Sequence, residues 1–191
     1  MSDADTAVIQ AVLDGDSERY RELVARYSAA VGNYIYRMIP NAADREEVCQ
    51  DVFVKAYVNL SQFRFEAKFT TWLYTIAYRQ AIEHLRKNRL ETVTLDGHDI
   101  SSAEDLDAAH SKQESAKQVR DQIKRLTTEE QTVLTLYHYQ EMGLAEIGQI
   151  VGKPEGTIKS DLFRIRKKLK QGLQRQFAIR AGVDYQDKVS I

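Results

Sequence analysis

The chain has 191 residues, of which 43% are hydrophobic and 29% charged, and its net charge is −1. This composition is typical of a globular protein and excludes a disordered chain, while the single cysteine, Cys49, excludes an intramolecular disulfide framework and suits a reducing compartment. No apolar run approaches the ~20 residues that a membrane span needs, and the first residues lack the basic start and apolar stretch of a signal peptide, so we expect a cytoplasmic protein without direct membrane insertion.

Apolar residues recur at three- and four-residue spacing along most of the chain, which predicts an all-α fold. The first long stripe runs from Tyr20 to Met38 and ends before Pro40, because the residue before a proline is disfavoured in a helix. A second helix is predicted from about Asp44. Its expected buried positions are Val48, Val52, Ala56 and Leu60.

An aromatic and basic segment follows over residues 62–69, and it leads into a helix that Thr70 or Thr71 can cap. The rings of this segment and helix point in too many directions to be buried together. Aromatic faces beside cations suit single-stranded nucleic acid, which stacks its bases and leaves its phosphates to the cations. The alternative, that the rings fill the core or its rim, stays open for part of them. The candidate nucleic-acid residues are Phe63, Arg64, Phe65, Lys68, Phe69, Trp72, Tyr78 and Arg79.

The charge is unevenly distributed, and this marks a linker. Residues 1–90 carry 12 basic and 12 acidic side chains, residues 91–118 carry 2 and 7, and residues 119–191 carry 13 and 9. Because 92–118 is also poor in large apolar residues, it is predicted to be a flexible acidic linker. The chain then divides into an N-terminal helical domain (1–91), the linker (92–118), a C-terminal helical domain (119–177) and a tail (178–191).

The C-terminal domain carries the most specific local signals. Thr127 stands three residues before Glu130, as in a capping box that opens a helix. Further along, Gly148, Gly152 and Ile158 have the spacing of a helix-turn-helix motif. In such a motif a small residue lets two helices approach, a glycine makes the turn and a branched residue anchors the second helix.

The second helix of this motif divides into two faces. Its buried stripe is predicted at Ile158, Leu162, Ile165 and Leu169, and the outward face at Lys159, Ser160, Phe163 and Arg164. A helix seated in this way suits readout of the major groove, with Arg166 and Lys167 reaching phosphates. Residues 152–180 contain nine basic side chains against Glu155 and Asp161. The alternative is a merely solvated basic face.

Three stretches carry a resemblance to a known family. They are residues 44–57 (DREEVCQDVFVKAY), 69–77 (FTTWLYTIA) and 156–164 (GTIKSDLFR), in that order. In wording and order the chain resembles the extracytoplasmic-function (ECF) sigma factors, the small two-domain class of bacterial sigma factors. The resemblance covers about residues 8–175, and the tail lies beyond it.

The resemblance implies a promoter-specificity subunit that binds the bacterial RNA polymerase core and has no catalysis of its own. Glu47, Gln50, Asp51 and Lys55 would bind the polymerase. The aromatic segment and following helix would read and melt the −10 element of promoter DNA, and the helix-turn-helix would read the −35 element as duplex. The resemblance also implies an anti-sigma factor as a partner, linked to the membrane.

Two other classes of protein stand as alternatives. A one-component helix-turn-helix repressor or activator would share the C-terminal motif but use the N-terminal domain for a ligand and a dimer interface. An enzyme is disfavoured because the four histidines, His84, His98, His110 and His138, are scattered, and no phosphate-binding loop or nucleophile motif is present. A zinc site is disfavoured because Cys49 has no cysteine partner. No cofactor and no metal are expected.

Overall fold

The computed structural model describes residues 3–94 and 110–180, and within these ranges it contains helices and no strand, which confirms the all-α prediction. Residues 95–109 of the predicted linker and residues 181–191 of the predicted tail lie outside the described residues. The helices are α1 (Asp3–Leu13), α2 (Tyr20–Met38), α3 (Ala42–Val58), α4 (Phe69–Thr94), α5 (His110–Lys124), α6 (Thr128–His138), α7 (Leu144–Val151) and α8 (Glu155–Arg180). Because α4 and α5 extend over 92–94 and 110–118, both ends of the predicted linker are helical.

Helices α2 and α3 form as their residue patterns predict, with one shift in a boundary, whereas α1 was not predicted from the sequence. Helix α2 ends at Met38, before Pro40, and α3 begins two residues earlier than predicted. The reason is Asn41, whose side-chain oxygen accepts a hydrogen bond from the Ala43 amide at 2.8 Å and so caps the helix. Helix α1 is docked on α2 by Asp5, a buried carboxylate that accepts a bond from the Tyr27 hydroxyl at 2.6 Å.

Helix α4 begins at Phe69, before either of the threonines predicted to cap it. The Lys68 carbonyl accepts the bond from the Trp72 amide at 3.2 Å, so the first helical turn already includes Thr70 and Thr71. Thr71 is 2% exposed and lies inside the structure rather than at a helix end. The helix therefore starts directly from the aromatic segment.

The C-terminal domain has the predicted capping and turn residues. The Thr127 hydroxyl accepts from the Glu130 amide at 3.3 Å, and the Glu130 carboxylate accepts from the Thr127 amide at 3.0 Å. Gly152 ends α7 with a φ of +75°, which glycine adopts without strain. A Cβ at Gly148 would lie 2.5 Å from the Lys153 carbonyl oxygen, so only glycine allows the turn to approach α7 this closely.

The two domains pack against each other, α2 on α6 and α4 on α7. At the centre Tyr34 is fully buried, with its hydroxyl 3.4 Å from the Thr132 hydroxyl and its ring edge-on to Tyr74. At the rim the Arg37 guanidinium lies 3.5 Å above the ring of Tyr139. The apolar cores of the two domains are therefore continuous across this contact.

Candidate nucleic-acid interface

Helix α8 presents an open, basic face. Its seat is Ile158, Leu162 and Ile165, each at most 3% exposed, which pack the helix onto the domain. On the opposite side Phe163 is 70% exposed, a large apolar ring that the fold leaves in solvent. The outward side chains Lys159, Ser160, Phe163 and Arg164 line one shallow concavity, and Arg166 and Lys167 are exposed beside it.

Ion pairs join α8 to the start of α6. The Lys168 ammonium bonds the Glu130 carboxylate. Lys153, in the turn before α8, contacts Glu129 of α6 and also Asp161 of α8 at 3.3 Å. The Arg166 guanidinium lies 5.3 Å from the centre of the Tyr137 ring. These contacts orient the outward face of α8 relative to the rest of the domain.

The aromatic segment is less open than α8. Phe63 and Phe69 are 5% and 2% exposed, and their ring centres lie 5.6 Å apart in an edge-to-face contact. Both pack on Trp72, which is half-buried. Of the predicted stacking rings, Phe63 and Phe69 thus belong to the core, and Phe65 and Trp72 form its rim.

Phe65 has a left-handed backbone, with a φ of +59°. This conformation is strained for a bulky residue, and the surrounding structure must hold it. Its ring contacts Phe63 in a tilted arrangement with 4.9 Å between ring centres, while its neighbour Arg64 is exposed. The strained turn therefore places Phe65 and Arg64 at the outer edge of the aromatic cluster.

The aromatic segment, together with Tyr78 and Arg79 of α4, forms a second candidate surface. The C-terminal domain covers part of this second surface. The Lys68 ammonium bonds the Glu146 carboxylate of α7 at 2.9 Å. That bond and a backbone bond from the Gly143 amide lower the pKa of Glu146. Tyr78 of α4 is half-buried. Its burial raises the pKa of its hydroxyl, and the negative charge of nearby Glu129 raises this pKa further. Arg79 stays exposed.

Helix α3 has a third outward surface. The predicted residues Glu47, Gln50, Asp51 and Lys55 are all exposed, and Lys55 lies 3.7 Å from Glu83 of α4. Two valines that the sequence reasoning missed continue the surface, Val54 at 60% and Val58 at 70% exposed. Their signal was present, because they follow Gln50 and Asp51 at helical spacing and lie off the buried stripe.

The described residues contain no group of three or more His, Cys, Asp or Glu side chains that could hold a metal ion. Cys49 is half-buried, and burial raises the pKa of its thiol, which makes it less reactive at neutral pH. No helix in the described ranges is both long and apolar enough to cross a membrane.

Comparison with known proteins assigns the family. Residues 23–91 match the model of sigma-70 region 2, and residues 116–169 match that of sigma-70 region 4. The ECF RNA polymerase sigma factor SigW of Bacillus subtilis is 29% identical over 177 residues, which cover 87% of this chain and 95% of that protein. The RNA polymerase sigma-H factor of Pseudomonas aeruginosa is 29% identical, covering 89% and 94%.

Solved structures agree on the fold. CnrH, in complex with the cytosolic domain of CnrY, superposes with a TM-score of 0.68 at 22% identity, covering 91% of this chain and 99% of that one. The sigma factor RpoE in complex with the anti-sigma factor NepR, from Bartonella quintana, has a TM-score of 0.68 at 20% identity, covering 81% and 96%. Together the family models and the curated relatives show that the chain belongs to the ECF sigma factors, as the resemblance of its sequence to that family predicted.

Proposed function

We propose that this sigma factor binds the RNA polymerase core and directs initiation by reading duplex DNA at −35 with α8 and melting the −10 element with the aromatic segment and α4. The observation that carries the proposal is the outward face of α8. A 70% exposed phenylalanine among Lys159, Ser160 and Arg164 is unusual for a face that meets only water. In a major groove Phe163 can contact a thymine methyl while the polar side chains bond base edges and phosphates.

The second surface suits DNA strands that have been separated. Melting costs a few kcal/mol for each unstacked step, and a base held against an aromatic ring recovers ~1–3 kcal/mol. Phe65 and Trp72 supply ring edges and faces at the rim, supported by Phe63 and Phe69, and Tyr78 adds a further half-buried ring on α4. The cations Arg64, Lys68 and Arg79 would hold the phosphates.

The polymerase would dock on the outer surface of α3. Glu47, Gln50, Asp51 and Lys55 provide polar contacts, and Val54 and Val58 an apolar centre. An interface with an apolar core and a polar rim is the usual arrangement for a specific complex. The protein would contribute selection and strand opening, and the polymerase would supply the catalysis.

An anti-sigma factor, linked to the membrane, would hold the protein inactive in the absence of its signal. The two solved relatives support this, since each was captured with a partner protein, an anti-sigma factor in the case of RpoE. The exposed apolar side chains of both domains, such as Val58 and Phe163, are its expected targets. If no product encoded beside this gene forms an inhibitory complex with the purified protein, this part of the proposal fails.

Run-off transcription with bacterial core polymerase, on the promoter of the protein's own gene, tests the whole proposal. New specific initiation is expected when the protein is added. Lys159→Ala with Arg164→Ala should reduce it on every template. Arg64→Ala with Arg79→Ala should reduce it on duplex DNA, and a template with an unpaired −10 segment should restore it, because melting is then no longer required.

The chain offers matched controls for these variants. Arg175→Ala removes an exposed cation from the far end of α8, and Arg86→Ala does so from the far half of α4; both should leave initiation unchanged.

Val54→Ser with Val58→Ser tests the outer surface of α3. It should weaken binding to the polymerase core about tenfold or more, since burying one valine contributes ~1.5 kcal/mol. Val119→Ser, at a 40% exposed position on α5, should not. Tight dimeric binding of a duplex operator without polymerase would instead indicate a repressor.

A further inference from the structure

Asp161 is an anomaly on the DNA-facing helix. Over residues 152–180 it and Glu155 are the only acidic residues against nine basic ones. Its side chain is 15% exposed, and one carboxylate oxygen accepts a bond from the Nη2 of Arg164 at 2.6 Å. The other oxygen lies 3.3 Å from the Nζ of Lys153. A carboxylate placed near DNA phosphates repels them, so its presence here needs a compensating role.

The contacts of Asp161 connect Arg164 to a rigid part of the domain. Lys153 also pairs with Glu129, in the first turn of α6, which the Thr127 capping box holds in place. At 100° per residue around α8, Asp161 lies on the flank between the buried stripe and the outward face. It therefore lies where it can hold Arg164 from the side, and the Arg164 side chain remains 63% exposed to solvent.

An oriented guanidinium recognises one base better than a mobile one. Arginine bonds guanine through O6 and N7 with two parallel N–H groups, and this geometry demands a fixed plane. Asp161 occupies one N–H of the five and leaves others available. We propose that Asp161, backed by Lys153 and Glu129, is a positioning residue that orients Arg164 to read a guanine in the −35 duplex, an inference that rests on the proposed function of α8.

This role predicts changes of opposite sign. Without Asp161, Arg164 is free to move to a phosphate, so binding to arbitrary DNA should strengthen while discrimination for guanine weakens. A purely structural role would weaken both together. The holoenzyme, assembled from core polymerase and the full chain, is tested on a template library with a randomised −35 segment, and the templates of the transcripts are sequenced.

Arg164→Ala is expected to remove a guanine preference at one position, and Asp161→Ala should reduce the preference at that same position about tenfold while leaving the others unchanged. Asp161→Asn, which keeps the shape of the side chain, should give an intermediate loss. The double variant should match Arg164→Ala alone. Binding of the Asp161→Ala holoenzyme to a poly(dA-dT) duplex should be as tight as wild type or tighter.

Glu155→Ala is the matched control, because it removes the same charge from the same helix and should leave the guanine preference intact. The positioning role is refuted if Asp161→Ala retains the wild-type preference, or if it flattens all positions equally. The positioning role is also refuted if Arg164→Ala changes no position. If the wild type shows no preference at any −35 position, or initiates from no template, the proposed reading of −35 DNA by α8 is itself wrong. These results are distinguishable from one another in a single library.

Discussion

The two surfaces proposed to meet DNA are built in opposite ways. On α8 the side chains proposed to contact DNA are outside and their support is inside, with Phe163 70% exposed and Ile158 0% exposed. In the aromatic segment the functional side chains and the support belong to one ring cluster, in which Phe69 is 2% exposed and Phe65 lies at the rim with a strained backbone. The first surface is complete in the free protein, whereas the second is partly covered by α7.

This difference follows from the form of DNA that each surface would meet. Duplex DNA offers its base edges in a groove, so a rigid helix with long outward side chains suffices. Separated strands offer whole base faces, which stack on aromatic rings that the core holds in fixed positions. The two surfaces also differ in their cations. Lys68 of the second surface is paired with Glu146 of the C-terminal domain.

The largest expected effect separates support from contact in the aromatic cluster. Phe69→Ala should lower the free energy of unfolding by ~3–5 kcal/mol, the usual cost of removing a buried aromatic ring. Arg64→Ala, at an exposed position beside it, should change stability by less than ~0.5 kcal/mol. Urea unfolding followed by circular dichroism measures both. Equal stability of the two variants would contradict the burial of Phe69.

A second prediction tests the close approach of α7 and the turn that leads into α8. Gly148→Ala should destabilise the protein by ~1–3 kcal/mol, because its Cβ would meet the Lys153 carbonyl at 2.5 Å and force the turn to shift. Gly32→Ala on α2 is the control, since no atom lies within 4 Å of its Cβ and the substitution should stabilise the helix by ~1 kcal/mol. Changes of the same sign in the two variants would rule out the close approach.

A third prediction concerns the cover over the second surface. Arg37→Ala removes the cation above the ring of Tyr139, a contact that contributes ~0.5–1 kcal/mol at an exposed site. Molecules in which the two domains have moved apart should therefore become about two- to fivefold more populated. Small-angle X-ray scattering of the free protein should show a larger radius of gyration. Arg21→Ala, on the same helix but paired with Glu18, should leave the radius unchanged, and an increase there would show that the effect is not specific.

Features set by a few neighbouring residues could be predicted from the sequence. The capping box of Thr127 and Glu130, the turn at Gly152 and the anchor at Ile158 depend on local geometry, and each was correctly predicted. The exposed face of α8 could be predicted for the same reason, since one helix with an apolar stripe has only one opposite side.

Features set by distant residues could not be predicted. The contact between Tyr34 and Thr132 joins positions 98 residues apart, and no local pattern announces it. The burial of Phe63 and Phe69 depends on which rings meet across α2 and α4, and the interleaved sequence fits several arrangements. The start of α4 moved to Phe69 because that ring anchors the first turn in the core.

The smallest expected effect is a dependence of the domain contact on pH. The bond from Lys68, followed by the bond from the Gly143 amide, lowers the pKa of Glu146 below its ordinary value of 4.5. A carboxylate with a lowered pKa in the folded state stabilises the contact above that ordinary value, and the stabilisation is lost as the pH falls through the lowered pKa. Because the pair is partly exposed, it contributes at most ~1 kcal/mol and weakens with salt.

Glu146→Gln isolates this contribution from the general loss of stability in acid. At pH 6 and low salt the variant should have the larger radius of gyration by scattering, because its neutral amide cannot pair with the Lys68 ammonium. Towards pH 3 the two proteins should converge as the wild-type carboxyl takes up its proton. A difference that persisted unchanged across this range would mean that the charge of Glu146 does not hold α7 against the aromatic segment. The partial cover over the second surface would then rest on Tyr34, its apolar neighbours and the contact of Arg37 with Tyr139.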